Sequence, residues 1–386
     1  MSMRLRRAIT NLVETGPLLK EGMASGNLKV LANLLGPAFR GLIMETQKNG
    51  PHTRMPVGNT ALFDWEYRQD KEQLQRLYEA AKRDQWNATT DIDWTGQIDP
   101  YDPNVMLLPN DYLIMQDHPA FKSLSKKEMA TQRHAILTWL LSQFLHGEQG
   151  ALYAAAQVTS AVPWMDAKLY GSTQVVDEGR HVEVFHRYLT EKLERLYTID
   201  DNLYVIIDAL MRDSRWDMKF LGMQIMIEGL ALGSFATIRA ATDEPLLKNM
   251  LGYVIADEAR HVQFGVVALR DWYVQNDALS ERERREREDW VFELTLLMRN
   301  RFLAHEIYDE YWAHAMSRKA WDKLVLGSGL MKLFRRTMFK RVIPNIKRIG
   351  LLSDRVRPRY AALGILQYEN ERDATRMSPA DMLVPA

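Results

Sequence analysis

Apolar residues recur three and four positions apart over long parts of the chain, which is the spacing of amphipathic helices rather than strands. Turn residues such as Pro163 and Pro245 interrupt this pattern, and a capping box of Ser125 and Glu128 opens its first long stretch. The pattern predicts five long helices, near residues 125–161, 164–196, 204–241, 245–275 and 280–316. Long helices joined by short turns favour an antiparallel bundle.

The chain outside these helices predicts two flanking segments. Residues 1–124 are interrupted by glycine and proline, and they predict an N-terminal arm whose short helices pack on the bundle, with one helix expected from Asp64 to Trp86. Residues 125–316 make up the predicted bundle. Residues 317–386 predict a basic, helical C-terminal extension that ends in a tail.

The basic character of the C-terminal extension is concentrated in residues 318–359, which hold 13 Lys or Arg residues and only two acidic residues. Three interpretations stay open. The segment faces solvent or pairs with acidic groups of the bundle, it docks an acidic electron-transfer or carrier protein, or it makes a peripheral membrane contact through its amphipathic stretches. Nucleic acid is not expected as a partner, because aromatic interleaving and a known binding motif are lacking.

The composition excludes several kinds of site. Lys plus Arg equals Asp plus Glu at 50 each, so the net charge indicates no particular partner. The chain has no cysteine, which excludes disulfides, zinc–thiolate sites, thiolate-bound iron–sulfur clusters and a cysteine nucleophile. Any metal must then be held by nitrogen and oxygen ligands. No uninterrupted apolar run reaches 18 residues and no signal-peptide core follows the basic start, Met1 to Arg7, so we expect a cytoplasmic protein.

A short motif occurs twice and carries the strongest functional signal. Residues Asp177 to Val182 recur as residues Asp257 to Val262, and each copy contains Glu-x-x-His within a predicted helix. Residues i and i+3 share one helix face, so the carboxylate and the imidazole of each copy point at one spot. A further glutamate precedes the glutamate of each copy by 30 residues.

This spacing places the two glutamates of each helix pair at one height. Each 30-residue interval contains a predicted turn about halfway along it. Walking ~15 residues up one helix and ~15 residues down the next returns to the same axial level, at a rise of ~1.5 Å per residue. Two such helix pairs bring together six candidate metal ligands: Glu148, Glu178, His181, Glu228, Glu258 and His261.

The residues around these glutamates are mostly apolar, so the predicted site lies in the bundle core. Four carboxylates buried together would be strongly destabilising without cations between them. Mixed carboxylate and imidazole ligands suit iron or manganese, which keep positions open for dioxygen or substrate. The ligand types fit two iron ions or a manganese–iron pair, and no catalytic residue is expected beyond the ligands.

The ligand pattern resembles that of the ferritin-like di-iron carboxylate superfamily over roughly residues 125–275. The doubled Asp-Glu-x-Arg-His is similar to that of the catalytic subunits of bacterial multicomponent monooxygenases. The stretch from Gln85 to Asp93 resembles the segment before the bundle in ribonucleotide reductase small subunits. The resemblance implies an all-α fold, a ferritin-like four-helix bundle with additional flanking helices, which holds two iron ions.

The resemblance also implies roles for residues around the ligands. Asp177 and Asp257 would each accept the outer N–H of the ligating imidazole from the other helix pair, and so orient the ring. Arg180 and Arg260 would neutralise these aspartates. Trp86 would lead electrons through the second aspartate to the first histidine ligand.

The implied function is an O2-dependent di-iron oxygenase that hydroxylates or N-oxygenates a hydrophobic aliphatic or aromatic small molecule, and desaturation is also compatible. An external electron donor, such as a ferredoxin or a reductase, is expected, and a homodimer is considered as the assembly. Residues near the ligands predict a largely apolar substrate cavity. Its lining residues are Phe144, Leu152, Val182, Phe185, Gln224, Ile225, Leu232 and Phe235.

Two alternative functions stay open. The first is a ferroxidase or iron-handling protein, which the chain length and the flanking segments disfavour. The second is a radical or manganese–iron oxidase subunit like that of ribonucleotide reductase. Phe185 stands where the radical tyrosine of those subunits is expected, which disfavours stable radical storage, and Leu232 stands where the monooxygenases carry a hydroxyl residue.

Overall fold

The structure is a computed structural model that describes residues 25–116 and 118–384. These residues form helices and loops and no strand, so the predicted all-α class is confirmed for the described part. The basic start of the sequence, Met1 to Arg7, lies outside it. Ten described helices have ten residues or more: α1 (Leu28–Ala38), α2 (Glu72–Arg83), α3 (Lys126–Ala161), α4 (Met165–Glu191), α5 (Asp201–Arg212), α6 (Trp216–Ala241), α7 (Pro245–Arg270), α8 (Glu281–Asn300), α9 (Arg318–Gly327) and α10 (Gly329–Arg348).

Shorter helical turns extend or connect these helices. Within α6, residues Leu221–Ile227 are π-helical. The other short elements are α-helical Pro119–Lys122, His305–Ile307, Arg357–Ala362 and Pro379–Met382, 3-10 helical Thr46–Lys48, Asn110–Tyr112, Arg301–Leu303, Leu366–Tyr368 and Ala374–Arg376, and π-helical Phe39–Ile43, Asp271–Gln275 and Tyr308–Trp312.

Two long helix pairs form the centre of the protein. α3 begins at the predicted capping box, in which the Ser125 N–H donates to the Glu128 carboxylate at 2.7 Å and the Glu128 N–H donates to the Ser125 hydroxyl at 3.3 Å. α3 packs along α4, and α6 packs along α7. α4 also contacts α7, so the two pairs meet, while α2 contacts both of these helices and α10 covers α6.

A single hydrophobic cluster of buried residues connects the flanking segments to these helix pairs. It extends from Val30 on α1 to Met382 near the C-terminus and includes side chains of every long helix. The flanking segments therefore share the core of the central helices. The division at residues 124 and 316 stays a prediction.

The helix predicted over residues 204–241 is interrupted at residues 213–215, which separate α5 from α6. Asp213 turns the chain there, because its carboxylate accepts hydrogen bonds from the backbone N–H and the guanidinium of Arg215. The buried ammonium of Lys219 donates to two carbonyls at the end of α5, at 3.0 and 3.4 Å. Burial lowers the pKa of Lys219 to about 8. The apolar periodicity continues across this break, which is why periodicity alone missed it.

Other helix boundaries also differ from the predicted ones. The helix predicted over residues 280–316 is interrupted after α8, because Ala304 adopts a left-handed backbone conformation with φ of 50°. The helix predicted from Asp64 to Trp86 is limited to α2, and the residues before it run over the surface without helical bonds. α4 ends before the predicted residue 196.

The basic segment of residues 318–359 forms α9, α10 and the turns that follow. Arg355 pairs with Glu288 and Asp289 of α8 at 2.7 and 2.8 Å, which agrees with the ion-pairing interpretation. The large apolar side chains on one face of α10 are buried and contact α6. In the described part, this face is therefore occupied by the protein itself, and the membrane contact and the acidic partner stay predictions.

One described helix, α6, is long and apolar enough to cross a membrane. The apolar stretch responsible for this is entirely buried inside the protein, as in the core helix of a soluble protein. The cytoplasmic location stays a prediction.

Candidate metal centre

The six predicted ligands lie together where the two helix pairs meet. Each of them is at most 4% exposed. Two overlapping sets of side chains can be distinguished, and in each the potential ligand atoms lie within 4.8 Å of one another. The first group is Glu148, Glu178, His181 and Glu258, and the second group is Glu178, Glu228 and His261. Because Glu178 belongs to both groups, the donors for two neighbouring cations are present.

The distances show which carboxylates lie between the two histidines. His181 Nδ1 is 3.1 Å from Glu258, 3.3 Å from Glu148 and 3.4 Å from Glu178. His261 Nδ1 is 3.2 Å from Glu178 and 3.6 Å from Glu258. Both imidazoles therefore approach both Glu178 and Glu258, so these two carboxylates are central to the cluster and could help to hold a metal beside either histidine.

Several potential metal-binding atoms of the cluster have no hydrogen-bonding partner in the described part of the chain. Both carboxylate oxygens of Glu258, one oxygen each of Glu178 and Glu228, and His261 Nδ1 are buried and make no hydrogen bond within the described part of the chain. An unsatisfied buried polar atom costs about 1–3 kcal/mol, and more when it is charged. Bound cations would satisfy all of these atoms at once, so the residues present fit a metal site.

When no cation is bound, the electrostatics of the cluster favour the protonated forms of four of its side chains. Burial, with neighbouring carboxylates acting in the same direction, raises the pKa values of Glu148 and Glu228 well above their usual range. Burial opposes the charged form of His181, but hydrogen bonds to Asp257 and Glu148 raise its pKa well above the ordinary value. Burial opposes the charged form of His261 as well, but the negative charge of Glu178, together with other neighbours that include the hydrogen-bonded Asp177, raises its pKa well above the ordinary value.

Two aspartates hold the histidines from outside the cluster. His181 on α4 approaches Asp257 on α7 at 3.2 Å, and His261 on α7 approaches Asp177 on α4 at 3.1 Å, in each case through Nε2. An ionised carboxylate only accepts hydrogen bonds, so Nε2 carries the proton and Nδ1 faces the ligands. The crossed arrangement implied by the family resemblance is the one that the structure places here.

Arginines accompany both aspartates. Arg180 donates to Asp177 and also lies 3.2 Å from Asp257, while Arg260 donates to Asp257. Burial opposes the charged form of Asp257, but its hydrogen bond to His181 and the charges of His181, Arg260 and His261 hold its pKa below the ordinary value. Asp257 therefore stays ionised and accepts from the imidazole of His181.

Trp86 completes this outer layer from the flanking segment. Its indole N–H donates to Asp257 at 2.8 Å, on the same oxygen that His181 approaches. The outer face of the indole stacks on Tyr253, which is half-buried, with ring centroids 5.1 Å apart. A chain of adjacent groups thus runs from the surface to His181.

The residues predicted to line a substrate cavity are only partly gathered in one place. Phe144, Phe185 and Phe235 pack against one another with ring centroids 4.6, 5.6 and 6.2 Å apart, one helical turn from Glu148 and His181. Gln224, Ile225 and Leu232 are also buried, whereas Leu152 and Val182 are only half-buried. The lining of a substrate cavity by these residues stays a prediction.

Two buried polar residues near the ligands were missed by the sequence reasoning. Gln174 donates to both Glu178 and Glu228, and the hydroxyl of the buried Tyr170 makes no hydrogen bond in the described part. Both lie on the face of α4 that carries Glu178, four and eight residues before it. Their spacing from Glu178 was the signal in the sequence that could have identified them.

No family model matches this sequence, and no curated protein matches it either. The assignment of a candidate metal site therefore depends on the side-chain geometry alone.

We predict that metal binding strengthens as pH rises through neutrality. The pKa values of Glu148, Glu228 and both histidines are raised, so these groups hold protons that a bound cation must displace. The affinity should rise roughly tenfold per pH unit for each proton released. Calorimetric titration with Mn2+ in buffers of different ionisation enthalpy measures this release, and a pH-independent affinity with no proton release would contradict the prediction.

Proposed function

We propose that α3, α4, α6 and α7 form a ferritin-like four-helix bundle and that the protein is an O2-dependent di-iron oxygenase of a hydrophobic small molecule. The observation that carries this proposal is the pair of overlapping ligand groups that share Glu178. Four carboxylates and two imidazoles match the donor set of di-iron and di-manganese carboxylate bundles. The crossed histidine–aspartate contacts add support, because orienting contacts of this kind tune metal ligands.

Glu148, Glu178, Glu228, Glu258 and both histidines would hold the two irons, which when bound supply the capacity to react with dioxygen. The protein's own contribution is positional. Asp177 and Asp257 fix the imidazoles with Nδ1 inward, and Arg180 and Arg260 donate to those aspartates. Full burial of the ligands excludes bulk water from the reaction.

The surroundings of the site favour an apolar substrate. Phe144, Phe185 and Phe235 present aromatic surface one turn from the ligands of the first group. A hydroxylation or N-oxygenation inserts one oxygen atom into the substrate and reduces the other to water, which consumes two electrons and two protons. An external one-electron donor, such as a ferredoxin or a flavin-containing reductase, supplies those electrons in this proposal.

The proposal predicts substrate-dependent consumption of oxygen. Protein reconstituted anaerobically with ferrous iron, then mixed with a reductant and a panel of aliphatic and aromatic compounds, should take up O2 faster with some of them and place 18O from 18O2 in the product. Glu178→Gln should abolish this reaction, and Glu183→Gln, an exposed glutamate on the same helix, should leave it unchanged.

The alternative functions are outcomes of the same experiment. Oxygen uptake that follows the amount of added iron, with many irons oxidised per chain, would replace the oxygenase by a ferroxidase. A persistent radical signal in electron paramagnetic resonance would indicate a radical subunit. Phe185 disfavours that outcome, because it stands where the radical tyrosine is expected.

Trp86 provides a second prediction, about reduction of the oxidised centre. Its hydrogen bond to Asp257 and its stacking on Tyr253 form the proposed electron path. Trp86→Phe removes the indole N–H but keeps an aromatic ring, so metal content should stay the same while reduction by a ferredoxin slows about tenfold or more. Tyr78→Phe, on a neighbouring helix, is the control. Unchanged reduction in Trp86→Phe would reject the path.

A further inference from the structure

A pair of buried glutamines lies beside the second ligand group. Gln174 on α4 is four residues before Glu178, and Gln224 on α6 is four residues before Glu228. Both side chains are fully buried. The Gln174 amide nitrogen donates to one oxygen of Glu178 and to one oxygen of Glu228, at 3.0 Å in each case.

The carboxylates dictate the orientation of both amides. In the ionised form that binds a cation, the glutamates only accept hydrogen bonds, so Gln174 turns its NH2 group toward them and its oxygen away. That oxygen then accepts from the NH2 group of Gln224 at 3.3 Å. The network therefore has a fixed direction, from Gln224 through Gln174 to the two carboxylates.

The backbone around Gln224 is adapted to this arrangement. Gln224 lies in the π-helical part of α6, a kind of segment that is frequent at functional sites. Gly265, one turn after His261 on α7, faces it. A Cβ atom at Gly265 would lie 2.6 Å from the Gln224 Cβ, so a larger residue there would displace the glutamine.

The amide bridge addresses a specific electrostatic problem. Glu178 and Glu228 come from different helices, and in the ionised form that binds a cation they would repel each other in a low-dielectric interior. One amide nitrogen, with its two hydrogens, connects them and holds them at one separation. In the first ligand group no amide of the described residues takes this place, because Glu148 contacts the imidazole of His181 directly.

From this asymmetry we propose that Gln174 is a positioning residue for the second metal ion, with Gln224 supporting it. The inference rests on the proposed two-metal centre. Gln174 holds Glu228 within reach of Glu178 and His261. Its bond to Glu178 also touches the first group, but Glu178 is held there by both histidines as well, so the second ion depends on the amide more than the first ion does. Loss of the amide leaves Glu228 free to rotate away and leaves its repulsion from Glu178 uncompensated.

Titration with Mn2+, followed by electron paramagnetic resonance, tests this proposal. Wild-type protein should bind two ions and give the broadened spectrum of a spin-coupled pair. Gln174→Met keeps the length of the side chain but removes its hydrogen bonds. The variant should bind its second ion roughly 10- to 100-fold more weakly and show the six-line spectrum of an isolated ion at one equivalent.

Two further variants separate positioning from general damage to the core. Gln224→Met removes only the supporting bond and should weaken the second ion by a smaller factor. Gln132→Met makes the same substitution at a buried glutamine of α3 that bonds Trp312, and it should change neither ion. Circular dichroism and thermal melting confirm that each variant is folded.

The outcomes distinguish this inference from the proposed function. A folded Gln174→Met that binds two coupled ions with wild-type affinity overturns the inference and leaves the metal centre intact. Equal weakening of both ions also overturns it, because the amide would then act on the whole cluster. A wild-type protein that binds no metal overturns both.

Discussion

The structure is organised around four carboxylates that are buried together in the middle of a helical protein. Each comes from a different helix, α3, α4, α6 or α7, and each is almost inaccessible to solvent. Such a cluster is tolerated only if positive charge lies among the carboxylates or if protons neutralise them. The raised pKa values of Glu148 and Glu228 reflect this constraint, and so do the ligand atoms without hydrogen-bonding partners. Metal cations satisfy it most completely.

The surrounding layers follow from that constraint. Asp177 and Asp257 turn the histidines inward as further candidate ligands, and arginines offset the charge of those aspartates in turn. On the other side, Gln174 connects Glu178 and Glu228. The histidine–aspartate contacts join α4 to α7 and the Gln174–Glu228 contact joins α4 to α6, so the polar network also connects these three helices.

The convergence of the six candidate ligands could be predicted from the sequence because their pattern repeats, and the crossed aspartates were implied by the family resemblance of the repeated motif. The 30-residue spacing and the Glu-x-x-His motif encode axial height and helix face directly. The break between α5 and α6 could not be predicted from the sequence, because Asp213 and the buried Lys219 act through local hydrogen bonds within an otherwise continuous apolar pattern. Gln174 was missed because a lone glutamine on an apolar face becomes informative only when its partners on α6 are known. The partial exposure of Leu152 could not be predicted either, because it depends on how α3 is rotated.

The most direct test of this account is the amount of iron bound per chain after anaerobic reconstitution with ferrous iron, in wild-type protein and in Glu178→Ala. Glu178 is shared by both ligand groups, so the account predicts two irons in wild-type protein and at most one in the variant. Glu183→Ala, on the exposed side of α4, should retain two. Wild-type protein without specific iron, or a Glu178→Ala variant that still binds two irons tightly, would contradict the account.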